Sequence, residues 1–433
     1  MHPLAGPLAF AAVMAAVFWG VFSLATIPMD WIDAGFAWLA GAVHGVLPSG
    51  PVADLLSDGV VSGVGATVIF LPQICLLFFL IALLEDTGYL ARAAFVADRL
   101  LRPFGLRGHA FVPLLSSHAC ALPGIMACRG IPDPKERLAA ILVAPFMTCS
   151  ARLPVYVLLT GILFPGDALA ASLAFVGCYA LGITAALGSA LLARRTLLKG
   201  TGRPMVMELP AYKWPSLWTA LVTTWDRGLV FLKKAGTVIL AISIVLWWLQ
   251  AYPHAGTSPE AEAMREQAAV VEVSDPEAAA ARLAEADAID ARRQQSGSFA
   301  GRIGRAVQPA FAPLGYDWRL CIGVVSSFAA REVFVSTMTV VVSGTDDPDA
   351  EGVLDELAGA TRDDGVTPIF TAATSVSLLV FYVLAMQCLP TLAVTAREAG
   401  GAKWALLQLG WMSGVAYAAA LAAYQGMRAA GYS

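Results

Sequence analysis

Apolar runs of membrane-spanning length, separated by short polar turns, dominate this chain. A bilayer core requires about 20 apolar residues per helix. Runs of that order cover residues 8–28, 64–84, 138–164, 168–193, 229–249, 370–395 and 404–424. Two further stretches, 109–127 and 320–342, are apolar but interrupted by small and polar residues. Residues 31–47 form a shorter aromatic stretch, the pattern of a helix lying at the membrane interface. Residues 1–20 carry neither a basic start nor a small-residue cleavage site, and read as a retained first span.

Basic residues orient these spans. The stretch 194–234 carries Arg194, Arg195, Lys199, Arg203, Lys213, Arg227, Lys233 and Lys234, which marks a cytoplasmic segment. Arg92, Arg99, Arg102 and Arg107 precede 109–127, and Arg129, Lys135 and Arg137 follow it. With both flanks cytoplasmic, 109–127 must enter the membrane and return, bending around Cys120-Ala121-Leu122-Pro123-Gly124. Non-helical backbone at that depth needs protein or a water-filled cavity around it, so the hairpin points to a translocation path. Residues 253–300 hold nine acids against four arginines, and 344–365 hold eight against Arg362 alone. Both insertions suit the opposite, extracytoplasmic face.

The chain also resembles itself. Thr67-Val68-Ile69 recurs as Thr237-Val238-Ile239, Ser116-Ser117 as Ser326-Ser327, and Met147-Thr148-Cys149 as Met386-Gln387-Cys388, in the same order. If each half crosses an odd number of times, the second half is inverted relative to the first, a recurrent transporter plan. The expected fold is an all-α polytopic membrane protein: two inverted repeats with re-entrant or broken gate segments, and about seven to nine membrane segments. The expected divisions are 1–63 (first span and interfacial helix), 64–193 (first repeat), 194–227 (cytoplasmic connector) and 228–425 (second repeat, with insertions 253–300 and 344–365).

Composition narrows the function. Of 433 residues, 58% are hydrophobic and 14% charged, against about 25% charged in a soluble domain. A net charge of −4 leaves no basic surface for nucleic acid. Membrane lipid is the expected surrounding. Seven cysteines in apolar surroundings suit buried thiols or soft-metal ligands better than a disulfide framework.

The repeat pairs Cys149 with Cys388, beside Met147 and Met386, while Cys120 sits at the hairpin tip with His118 two residues before it. Thiolate, thioether and hydroxyl donors together suit a borderline or soft metal ion that sheds its water stepwise. These six residues are the candidate metal ligands. Candidate gating or pore residues are Glu332, a carboxylate inside an apolar run, Glu85 and Asp86 at a span end, and the polar Ser116, Ser326, Thr148 and Gln387. Neither HExxH, GxSxG nor a GxxxxGK[ST] phosphate loop occurs, so no enzyme is read from this chain. A gate-type transporter of nucleosides or another small organic solute, built on polar groups such as Gln73, Ser116, Ser326 and Gln387, is the alternative.

Several blocks resemble the membrane domain of the ferrous-iron transporter B family (FeoB). They are Pro72-Gln73-Ile74, Leu84-Glu85-Asp86-Thr87-Gly88-Tyr89-Leu90-Ala91-Arg92-Ala93-Ala94-Phe95, and Glu136-Arg137 with Ala144-Pro145-Phe146-Met147-Thr148-Cys149-Ser150-Ala151-Arg152-Leu153-Pro154. Met207-Glu208-Leu209-Pro210-Ala211-Tyr212, Ala330-Arg331-Glu332-Val333, Gln387-Cys388-Leu389-Pro390 and Ala396-Arg397-Glu398 follow in family order. The resemblance implies Fe²⁺ as transported substrate, import across the bacterial inner membrane, and iron-path roles for Cys120, Cys149 and Cys388. It implies GTP only through a separate or removed GTPase domain or subunit. A small accessory protein of the iron uptake operon and a homo-oligomer are further partners it suggests. Ser117-His118-Ala119-Cys120-Ala121 departs from the family's glycine-rich pattern and brings in His118 as an added candidate ligand.

Overall fold

The computed structural model describes residues 5–48, 50–199, 211–254, 256–271, 276–328, 331, 333–342, 353–362 and 366–432. These residues are almost entirely helical, with one isolated bridge between Thr361 and Pro368. In chain order the principal helices are α1 (Ala5–Val46), α2 (Leu71–Asp86), α3 (Tyr89–Leu101), α4 (Phe111–Ser117), α5 (Ala121–Ala127), α6 (Pro134–Val143), α7 (Leu153–Leu163), α8 (Ala168–Arg195), α9 (Leu217–Phe231) and α10 (Thr237–Ala251). There follow α11 (Pro259–Val271), α12 (Pro276–Gly297), α13 (Phe299–Phe311), α14 (Trp318–Ser326), α15 (Val333–Val342), α16 (Val353–Gly359), α17 (Ala372–Leu384), α18 (Leu389–Glu398) and α19 (Ala402–Ala429).

Among the described residues, five helical stretches are long and apolar enough to cross a membrane: Ala12–Val46, Pro134–Leu163, Ala168–Arg195, Ala372–Glu398 and Ala402–Ala429. The bent pair Leu71–Asp86 and Tyr89–Phe104, which meet at 92°, raises the number to six. Several of the apolar runs are broken within themselves. The run 64–84 is interrupted by a turn at Ile69-Phe70, after which Pro72 opens α2. The runs 138–164 and 370–395 are broken where each carries its Met-X-Cys triplet. The expected interfacial helix at 31–47 is instead the continuation of α1, which runs through Pro28. A proline inside an apolar membrane helix is tolerated where neighbouring groups re-satisfy the backbone. Insertion 253–300 is a helical excursion, α11 against α12.

The chain forms two compact units. The first comprises Met1–Ser150, Tyr179–Ile244 and Leu389–Trp411; the second comprises Ala151–Cys178, Val245–Cys388 and Met412–Ser433. In the first unit, Val17, Val21, Leu77, Ile81, Leu90 and Ala119 form one buried cluster, and Ile74, Phe78, Leu122 and Phe231 another. The apex of the α4–α5 hairpin is thus anchored in apolar packing through Ala119 and Leu122. In the second unit, Phe311 stacks on Tyr316 and both meet Phe381 edge-on, with centroids 5.8–6.4 Å apart, and the Tyr316 hydroxyl meets Ser377 Oγ at 3.2 Å.

A further element of self-similarity lies in the backbone. The tight turn Arg102–Phe104 closes on Gly105 at φ 79°, and Ala312–Leu314 closes on Gly315 at φ 81°. These turns are separated along the chain by the same interval as Ser116 and Ser326. Both glycines occupy the left-handed region that a side chain would strain.

Candidate functional site

Helix α4 ends at Ser117, and the backbone turns through His118 and Ala119 to an extended Cys120 (φ −155°, ψ 137°) before α5 begins. The turn therefore starts two residues before the bend expected at 120–124, and Pro123 and Gly124 lie inside α5. Gly124 is where the two limbs touch: a Cβ there would lie 1.9 Å from Ser117 Oγ and 2.8 Å from the Pro113 carbonyl oxygen. The hydroxyls of Ser116 and Ser117 donate to the carbonyls of Val112 and Pro113 one turn back. His118 Nδ1 lies 3.1 Å from the Leu114 carbonyl, and its ring stacks on Tyr179 at 6.4 Å.

A second break in the same unit follows α6. Asp133 caps α6 by accepting from the Lys135 and Glu136 amides, and Pro134 occupies its first turn. Pro145 has no N–H to offer the Ile141 carbonyl four residues earlier. Gln408 supplies that donor: its Nε2 gives hydrogen bonds to Ile141 and Leu142 oxygens at 2.9 and 3.0 Å, while its Oε1 accepts from Thr395 at 2.8 Å. Beyond the break Met147 is extended and buried, and the buried Thr148 Oγ1 has no hydrogen-bond partner. Ser150 then bonds to the Ala119 carbonyl through both its amide (3.4 Å) and its hydroxyl (3.0 Å). The Met147-Thr148-Cys149 break is thereby tied to the turn that bears His118 and Cys120.

The second unit repeats this pairing with different groups. Asp317 caps α14, which ends at Ser326. Helix α17 starts on a reciprocal Thr371–Thr374 cap and ends at Leu384, leaving Ala385-Met386-Gln387-Cys388 non-helical. Gln387 Nε2 donates to Ser327 Oγ at 2.9 Å, joining this break to the end of α14. Arg331 donates to the carbonyls of Gln387 (3.2 Å) and Ala385 (3.1 Å), and Arg152 donates to Ala385 at 3.3 Å. Met386 and Gln387 are fully buried, as are Ser326 and Ser327.

The structure therefore brings His118, Cys120 and Ser116 onto one bonded pair of breaks with Met147, Thr148 and Cys149, and Ser326 onto another with Met386, Gln387 and Cys388. Among the described residues no three His, Cys, Asp or Glu side chains come together as a metal cage. None of the seven cysteines forms a disulfide. Glu332 lies outside the described residues. Glu85 is exposed at the wall of a cavity of about 780 Å³ in the first unit, shared with His109, Arg129, Arg227 and the outer parts of α4 and α5. Asp86 is held by Lys213 at 2.6 Å and by the Ser216 amide at 2.6 Å, a clip that fastens 211–216 to the end of α2. Arg129, at the exit of α5, forms a two-pronged ion pair with Glu398 at the end of α18.

Sequence reasoning placed the break at 109–127 but missed those at 144–150 and 385–388, together with the groups that bind them: Ser150, Ser327 and Gln408, and the roles of Arg152 and Arg331. One signal was present. An arginine three residues after Cys149 and another five after Ser326, each inside an apolar run, have few uses other than holding carbonyls.

The family model described as Nucleoside recognition (Gate) matches residues 67–163 and 232–402, and that of the Ferrous iron transport protein B C terminus matches 175–227. The Fe(2+) transporter FeoB of Leptospira interrogans is 37% identical over 98% of this chain and 58% of its own length. That of Helicobacter pylori strain 26695 is 34% identical over 98% of this chain and 65% of its own. A Porphyromonas gingivalis protein named Fe(2+) transport protein A/Fe(2+) transporter FeoB fusion protein is 37% identical over 98% of this chain and 50% of its own. This chain thus spans between half and two thirds of the length of these relatives. No solved structure matches. The Gate model covers most of the chain, the FeoB C-terminal model covers a segment within it, and the relatives match almost end to end, so the chain belongs to the Gate family and is a homologue of the Fe(2+) transporters FeoB.

Proposed function

We propose that this chain conducts ferrous iron across a bacterial inner membrane, as the permease part of an uptake system driven by a GTPase. The observation that carries the reading is the bonded pair of helix breaks in each unit, each bearing a thiol beside buried hydroxyl or amide groups. Fe²⁺ is a borderline ion, served by sulfur as well as by oxygen. Stations of few donors suit passage, because an ion must enter readily and leave again. The two halves are read as inverted repeats, a plan in which discontinuous helices carry the substrate site. The relatives' names favour iron over a nucleoside. The fusion in Porphyromonas supports a small accessory protein as partner.

The test is uptake of radioactive Fe²⁺ by proteoliposomes of the intact protein with its GTPase and GTP. Changes one step removed from a metal ligand already cost about 10–100-fold in affinity or activity. Cys149→Ser and Cys388→Ser should each therefore lower the initial rate by about tenfold or more. Unchanged rates in both variants refute the ligand role. Absence of iron uptake by the wild-type protein under energised conditions refutes the iron reading.

A further inference from the structure

The last carbonyls of a helix have no partner within it. Just past α17, the carbonyls of the non-helical Ala385 and Gln387 likewise lack a helical partner and face two guanidinium groups. Arg152 is 0% exposed and Arg331 4%. Burying two cations is costly unless their donors are well used, so a cap that any neutral side chain could make calls for a further reason.

Backbone carbonyls released at broken membrane helices are hard oxygen ligands. They coordinate Na⁺ in transporters with discontinuous helices, and carbonyl rings strip the water from K⁺ in channels. An uncapped break at 385–388 would offer the same chemistry.

We propose that Arg152 and Arg331 are specificity-determining residues: by occupying the carbonyl oxygens of Ala385 and Gln387, they withdraw hard donors from the break and discriminate against Na⁺, Mg²⁺ and Ca²⁺. What the break then offers is side-chain chemistry. Ser327 Oγ donates its one hydrogen to the Val324 carbonyl at 2.7 Å, so it can only accept from the Gln387 amide nitrogen. That fixes the orientation of the amide and turns Gln387 Oε1, which is buried and has no hydrogen-bond partner, away from Ser327. One amide oxygen from Gln387 and one thiol from the next residue, Cys388, are a poor donor set for an ion that wants six oxygens, and an adequate one for a borderline metal. The two guanidinium charges also oppose any cation that gains nothing from sulfur.

This inference rests on the iron-conducting reading. Its test uses the intact protein in proteoliposomes, measuring Fe²⁺ uptake against increasing Ca²⁺ for wild type, Arg331→Gln, Arg331→Lys and Arg152→Gln. Wild-type uptake should withstand roughly a hundredfold excess of Ca²⁺, since capped carbonyls offer it no site. In Arg331→Gln the half-inhibitory Ca²⁺ concentration should fall by about tenfold or more, equivalent to one released strong ligand. Arg331→Lys, which keeps the charge but loses the two-carbonyl reach, should fall in between. Variants that import iron with wild-type resistance to Ca²⁺ overturn the inference while leaving the iron reading intact. If the variants do not fold, the wild-type titration decides alone: inhibition by Ca²⁺ at concentrations equal to Fe²⁺ overturns it. A wild-type protein that imports no iron removes both.

Discussion

Replacing Gly124 with alanine tests the hairpin directly. The new Cβ would sit 1.9 Å from Ser117 Oγ, 2.9 Å from Ser117 Cβ and 2.8 Å from the Pro113 carbonyl oxygen. Ser117 could rotate away, but its hydroxyl donates to that same Pro113 carbonyl at 2.8 Å, and the bond would be lost. The carbonyl itself is backbone and cannot rotate. Carbon and oxygen approach no closer than about 3.3 Å even in a weak C–H···O contact, so α4 and α5 must separate by about 0.5 Å. Overpacking of this kind costs about 1–3 kcal/mol, and a lost hydroxyl bond about 0.5–1.5 kcal/mol more. The assay is thermal inactivation of the detergent-solubilised protein, followed by size-exclusion fluorescence at one heating rate. For a unit of this size the midpoint should fall by about 4–10 °C. Combining Gly124→Ala with Ser117→Gly removes two of the three clashes, and the double variant should recover at least half of the loss. A midpoint within 1 °C of wild type, or strict additivity of the two changes, would refute the close approach of the limbs.

Gln408→Leu should lower the same midpoint by several degrees. It orphans the Ile141 and Leu142 carbonyls together, at about 1–3 kcal/mol for each buried group, whereas Thr395→Val breaks one bond and should cost less. Equal midpoints for the two variants would contradict the capping role. In the α11–α12 excursion, burial pushes the Asp290 carboxyl up, but the Ser258 amide and Arg265 outweigh it and hold it below the ordinary carboxylate value. A group whose folded value is depressed stabilises above its unfolded value, near pH 3.9, and the contribution is lost as pH falls through the folded one. Hydrogen-exchange protection of 259–297, corrected for intrinsic rates, should therefore hold from pH 7 to about 4 and fall below it, and Asp290→Asn should abolish the pH-dependent part.

How much of this was legible beforehand differs from element to element. Helix α8 was readable end to end, because an uninterrupted apolar run closed by Arg194 and Arg195 has one stable form in a bilayer. The hairpin at 109–127 was legible from charge alone, since two basic flanks on one side leave no room for a crossing. The breaks at 144–150 and 385–388 were not expected. Their residues are as apolar as the spans around them, and hydropathy registers only that a segment avoids water. Pro145 and Pro390 were the visible signs, but a proline tolerated inside α1 at Pro28 shows why such a sign does not decide by itself.

The amino-acid sequence alone determined that the protein is helical and apolar, where its charges gather, and which thiols stand at repeated positions. Those properties are sums over neighbouring residues, and neighbours are what a sequence displays. Only the tertiary structure decided which groups close the broken ends. The orphaned carbonyls of α6 and of the break after α17 are met by Gln408, Arg152 and Arg331, at separations of 267, 233 and 54 residues from Ile141, Ala385 and Ala385 respectively. A backbone carbonyl buried away from water must find a donor, but nothing in its own segment says which. That choice is made by packing, and with it which donors are left unused at the breaks.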